Sequence, residues 1–183
     1  MNVSEASDDE LVGLTAKGDK AAFTRLVGRH QARLLSLMMR TLGNRAAAED
    51  IVQDVFTRAW THAPRWQSRG LGRASYAAWL SRVAVNLAID RSRRARPSSL
   101  DDVAEPEDPT PLPDVEMMAR QRAARVRAAI AALPERQRIA LGLTYDAELS
   151  NAEAAAAMDT SVGAFELLLV RARRALRLAL RDA

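Results

Sequence analysis

The stretch LSNAEAAAAMDTSVGAFELLLVRARRAL, residues 149–176, decides the fold. Ser150-Asn151-Ala152-Glu153 is a capping-box pattern, a hydroxyl three residues ahead of a glutamate, and it opens a short helix reaching Met158. A tight turn at Asp159-Thr160 leads into a longer helix from Ser161 to about Leu180. Short helix, turn, long helix is the signature of a helix-turn-helix. In the longer helix Phe165, Leu169, Ala172 and Leu176 share one face by their spacing and pack inward. Ser161 at its start, together with Gly163, Leu167, Val170, Arg171 and Arg174, is left for the outer side. A recognition helix reads base edges with such outward side chains, while arginine anchors phosphates, so these six are the first candidate DNA contacts.

Working outward, one helix is expected from near Val115 to Leu133, and Pro134, as a first-turn proline, starts another to about Asp146. Upstream lies a segment in which Pro97, Pro106, Pro109, Pro111 and Pro113 alternate with acids, a composition that disfavours regular structure and makes a linker. Roughly 20 residues at up to about 3.3 Å each let the flanking parts sit as much as about 65 Å apart. The first half reads as four more helices: Asp8–Ala16, Asp19 to about Leu42, Arg45–His62, and one capped by Ser75 that runs to about Arg96. An irregular stretch, 65–73, separates the last two. The expectation is an all-α chain of two small helical domains, 1–96 and 117–183, joined by an acidic, proline-rich, flexible linker, 97–116. The second domain holds the helix-turn-helix. At 183 residues the chain has room for two such cores.

Composition removes whole classes of function. Cysteine is absent and there are two histidines, His30 and His62, so thiolate chemistry, disulfides and metal sites are not expected. No glycine-rich phosphate loop, nucleophile elbow or paired-carboxylate site appears, so neither an enzyme nor a small-molecule substrate nor a cofactor is expected. The acidic, polar start does not resemble a secretory leader and no run approaches a membrane span, which makes the cytoplasm the simplest address. Formal net charge is +4, but its distribution matters more. From Arg65 to Arg96 the charges are nearly all arginine, with Asp90 the lone acid, whereas Asp101 to Glu116 carries seven acids and no base. One surface is built to meet a polyanion, while another segment imitates one.

Two helices of the first half carry further candidates. In Arg45–His62 the buried stripe is Ile51, Val52, Val55, Phe56, Ala59 and Trp60, leaving Asp50, Gln53, Asp54 and Arg58 on other faces. That mixed acidic and amide surface suits a protein partner better than DNA, the plainer alternative being an ordinary solvated face. In the helix from Ser75, Tyr76, Leu80, Val83, Ala84 and Leu87 point one way, and Trp79, Arg82, Asn86, Asp90 and Arg93 form an adjacent stripe. Cations for a strand, flat rings for unstacked bases and an amide for an exposed base edge are what opening a duplex requires. With Trp66 and Arg94 nearby, this is the first choice among the candidate DNA sites; Trp79 sits at its border with the core. Met117-Met118 reads as an apolar helix start that packs.

Three of these stretches together resemble the sigma factors, and in particular their compact extracytoplasmic-function branch. AEDIVQDVFTRAW, Ala48 to Trp60, resembles the family's polymerase-binding helix, and SYAAWLSRVAVNLAIDRSRR, Ser75 to Arg94, its promoter-melting helix. LPERQRIALGL from Leu133, with the helix-turn-helix after it, resembles the domain that reads the upstream promoter element. The resemblance implies contact with core RNA polymerase at Asp50, Gln53, Asp54 and Arg58. It implies melting and −10 contacts at Trp66, Trp79, Arg82, Asn86, Arg93 and Arg94, and −35 contacts from the last helix. It also implies restraint by an anti-sigma factor, often membrane-embedded. Glu166 and Leu168 depart from the family pattern, which is usually basic there. A two-domain helix-turn-helix regulator acting without polymerase is the main rival, and a helical adaptor that binds only proteins the second.

Overall fold

The computed structural model describes residues 6–66, 75–95 and 114–181, and among these the regular structure is helical. The first unit is α1 (Asp8–Ala16), α2 (Lys20–Leu42), α3 (Arg45–His62), a one-turn 3-10 helix (Ala63–Arg65) and α4 (Tyr76–Ala95). The second is α5 (Asp114–Ala131), α6 (Glu135–Tyr145), α7 (Asn151–Ala157) and α8 (Val162–Arg181). Residues 67–74 and 96–113, which include most of the expected linker, lie outside the described residues.

Local chemistry sets the helix starts. Ser7 and Ser150 each form a full capping box, with Glu10 and Glu153. Asp19 accepts from the Ala21 and Ala22 amides at 2.8 and 3.0 Å, and Asn44 from Ala47 at 2.8 Å. Each such cap stabilises its helix by about 1 kcal/mol. Gly43 ends α2 at φ 72°, a left-handed conformation that a Cβ disfavours, and this turn sends α3 back along α2.

α2 is the spine of the first unit, packed by α1, α3 and α4, with Leu26, Leu34, Leu37 and Met38 buried. In the second unit α5, α6 and α7 all pack on α8, around Leu133, Ile139, Leu143, Phe165 and Leu169. The two units touch directly. α6 lies against α2 and α7 against α4, so one apolar cluster runs through both.

Several boundaries differ from the sequence expectation. α5 spans Asp114–Ala131, so it begins inside the segment read as linker. Pro134 is the residue before α6 and not its first turn. Met117 and Met118 do not pack: they are 49% and 70% exposed. α4 buries a second stripe, Ala78, Ser81, Val85 and Ala88, beside Tyr76, Leu80 and Ala84. A helix flanked by α2, α3 and α7 needs a wider inner face than one bundle would demand.

Candidate nucleic-acid interface

On α3, Asp50, Gln53, Asp54 and Arg58 are all exposed, while Ile51, Val52, Val55, Phe56 and Ala59 are buried behind them. Asp50 faces Arg91 of α4 at 3.5 Å. Beside this surface α2 and α3 leave a groove of about 610 Å³. Its apolar wall includes Phe23, Val27, Val52, Phe56 and Trp60, and Gln53 and Thr57 stand among its polar lining. Phe23 meets Trp60 edge-on with centroids 5.1 Å apart. Sequence reasoning placed Phe56 and Trp60 in the buried stripe of α3 and missed the groove. Phe23, Val27 and Trp60 are only partly buried.

Along α4, Arg82, Asn86 and Arg93 are exposed and fall within roughly 40° of one another at 100° per residue. Arg94 is exposed beside them. Trp79 and Trp66 are half-buried in an aromatic cluster. The Trp79 ring lies nearly parallel to His62 at 5.0 Å and to Tyr76 at 5.9 Å, with Trp66 edge-on at 5.9 Å. Trp66 Nε1 donates to Asp9 Oδ1 at 2.9 Å. The arginines and the amide are therefore presented on one surface, whereas the two indoles are engaged with their neighbours at its end.

Beneath that cluster, His30 Nε2 lies 2.7 Å from Asp8 Oδ2 and Arg29 donates to Asp8 Oδ1 at 2.9 Å. The hydrogen bond with His30, opposed by burial and aided by Arg29, holds the Asp8 carboxyl below its usual range. Burial, and then the Asp8 charge, push the Tyr76 phenol up. These groups pin α1 to the bundle and are positioned by the fold, not by a ligand.

In the helix-turn-helix, Asp159 takes φ 50° and the Thr160 amide donates to Ala155 O at 3.0 Å, making the turn. Aspartate tolerates that left-handed conformation because its short polar side chain bonds locally. Ser161 Oγ accepts from the Ala164 amide at 3.2 Å, so this candidate contact is also the helix cap. Gly163, Leu167, Val170, Arg171 and Arg174 are exposed on α8, and Phe165, Leu169 and Ala172 are buried. Arg173 is held elsewhere, its Nε donating to Tyr145 Oη at 3.1 Å. Asn151, which sequence reasoning did not single out, donates from Nδ2 to Glu166 Oε1 at 3.0 Å.

Comparison with known proteins gives a consistent result. Residues 26–97 match the family model for Sigma-70 region 2, and residues 123–176 match that for Sigma-70, region 4. The chain is 33% identical to the ECF RNA polymerase sigma factor SigW of Bacillus subtilis, over 91% of this chain and 92% of that protein. It is 32% identical to the ECF RNA polymerase sigma-E factor of Escherichia coli K12, over 94% and 93%. Among solved structures it resembles CnrH in complex with the cytosolic domain of CnrY, with TM-score 0.71 and 29% identity over 96% of this chain and 97% of that one.

Proposed function

We propose that this chain, which belongs to the extracytoplasmic-function branch of the sigma-70 family of RNA polymerase sigma factors, binds the polymerase core through α3, opens promoter DNA through α4 and reads the upstream element through α8. Its role is that of a transcription initiation factor and not of an enzyme. The observation that carries the assignment of surfaces is the face of α4 on which Arg82, Asn86 and Arg93 stand together while two neighbouring stripes are buried. Guanidinium groups hold a strand's phosphates, and an amide reads the edge of a base that has left the stack. Residues 1–96 are the core-binding and melting unit, 97–116 the connection and 117–183 the −35-reading unit, with the helix of the last unit starting as early as Asp114.

On α3, the exposed Asp50, Gln53, Asp54 and Arg58 beside an apolar groove suit a helical partner surface such as a coiled coil of the core. CnrH was solved in the grip of another protein's cytosolic domain, which supports control of this chain by a protein inhibitor, an anti-sigma factor, in some cases membrane-bound. No helix among the described residues is long and apolar enough to cross a membrane, and the chain acts in the cytoplasm, where the polymerase is.

The test is transcription from fragmented genomic DNA by purified core polymerase with and without the chain, with mapping of RNA 5′ ends. The chain should create discrete start sites that share an upstream sequence. A footprint on DNA without polymerase, and no new start sites with it, would favour a conventional helix-turn-helix regulator instead.

A further inference from the structure

One exposed side chain of α4 does not fit a surface that only holds phosphates. Asp90 is the lone acid between Arg65 and Arg96. It is exposed on the same helix as the exposed Arg82, Asn86, Arg93 and Arg94. At 100° per residue it stands about 40° from Asn86 on one side and about 40° from Arg94 on the other, and the helical rise sets it about 6 Å along the axis from Asn86. Acid first and base one turn later is the favoured order for pairing on a helix. Among the described residues, however, no hydrogen bond or ion pair joins Asp90 to Arg93 or Arg94. The ion pair formed nearby is that of Arg91 with Asp50 of α3, at 3.5 Å. The Asp90 carboxylate therefore stands open beside the Asn86 amide.

An open carboxylate repels phosphates, so on this face it weakens binding to any strand unless it gains a partner there. It can only accept hydrogen bonds, through two oxygens held side by side. Of the four bases, guanine alone offers two adjacent donors along its pairing edge, N1–H and the N2 amino group. In cytosine and adenine the amino group is next to a ring nitrogen that accepts, and in thymine N3–H lies between two carbonyls, so each sets an acceptor against the carboxylate. In a duplex the pairing edge of guanine is occupied by cytosine, and the match exists only once the base has left its partner. Stacked bases are about 3.4 Å apart, so a separation of about 6 Å brings Asp90 to a different base from the one at Asn86.

We infer that Asp90 is a specificity-determining residue of the α4 surface: its two carboxylate oxygens accept from N1–H and the N2 amino group of an unpaired guanine in the opened strand, close to the base at Asn86. The inference rests on the reading of α4 given above. It gives opening a bias that Arg82 and Arg93 do not supply, since guanidinium groups attract the phosphates of closed and open DNA alike. Asp90 disfavours closed DNA, whose phosphates it repels and whose guanines are paired, and favours the open form. A group shifts an equilibrium only by its difference in affinity for the two states, and this carboxylate has such a difference.

The test uses holoenzyme made from core polymerase and the full chain, offered promoter bubbles whose unpaired non-template strand is randomised around the −10 element. Because the DNA is already open, selection reports base reading and not melting. The parent should enrich guanine at one position, close to the position where Asn86→Ala relaxes selection. Asp90→Ala should lose that preference by about tenfold, as expected for one bidentate contact to a base, and should bind guanine-free strands more tightly. Inosine, which lacks the N2 amino group, should weaken binding by the parent when it replaces that guanine and make no difference to Asp90→Ala. A carboxylate that merely supported the helix would affect every sequence equally and would not distinguish guanine from inosine. No guanine preference in the parent, or the same preference in Asp90→Ala, overturns the inference. If Asn86→Ala changes selection at one position and Asp90→Ala at none, the inference alone falls. If neither variant changes selection at any position, the reading of α4 falls with it.

Discussion

Asn151 of α7 holds Glu166 of α8 by a 3.0 Å hydrogen bond, joining the two helices of the helix-turn-helix across their polar edge. Glu166 is the sole acid between Val162 and Arg181, and it stands among the residues proposed to face DNA. A carboxylate there repels phosphates, and Asn151 fixes where that charge sits.

Glu166→Lys should therefore tighten binding of the holoenzyme to all DNA, steepening the slope of log affinity against log salt by about one unit for one added phosphate contact. Arg171→Ala should weaken promoter binding and flatten the slope by about the same amount. Salt titrations of both variants, together with selection on a randomised upstream element, check this. A changed preference at one base pair with an unchanged slope would mean that Glu166 reads a cytosine amino group and that charge repulsion is not its role.

Asp54→Ala should weaken association with core polymerase by about 2–5 kcal/mol if the exposed acid is desolvated against a basic partner, while leaving the melting temperature of the chain unchanged. Co-elution with core across a concentration series measures the first, and thermal denaturation the second. Undiminished affinity in single variants of Asp50, Gln53, Asp54 and Arg58 would remove α3 as the docking helix.

The Asp8 carboxyl, held below its usual range by His30 and then Arg29, should make α1 docking sensitive to acid. Because its folded pKa is depressed, its contribution is present above the unfolded value near 3.9 and is lost as pH falls through the folded value. Asp8→Asn should cost about 1–2 kcal/mol at neutral pH. The difference from the parent chain should shrink below about pH 4. Chemical denaturation of both proteins at pH 7 and pH 3.5 gives the comparison.

Much of this was legible in the residues, for reasons that differ by element. Ser7, Asp19, Asn44, Ser75 and Ser150 are short-range caps, so their helices start where local chemistry says. Arg82, Asn86 and Arg93 share a face because helical periodicity fixes it. The second buried stripe of α4 was not legible, since Ala78, Ser81, Val85 and Ala88 are small and their burial depends on α7 arriving from the other unit. Arg40 and Asp146, 106 residues apart, gave no local sign of pairing. Trp79 was placed at the border of the core, and its stacking on His62 depends on how the end of α3 meets the start of α4.

The central claim is that α4 opens the promoter, and Asn86→Ala tests it most directly. Alanine is the better helix former, by up to about 0.7 kcal/mol, so a defect would not come from loss of the helix. The measurement is chemical reactivity of unpaired thymines in promoter complexes formed with core polymerase. The account predicts that the parent holoenzyme exposes reactive thymines near the −10 element. Asn86→Ala should keep the upstream footprint and lose most of that reactivity. Normal thymine reactivity in Asn86→Ala, and again in Arg82→Ala, would contradict it.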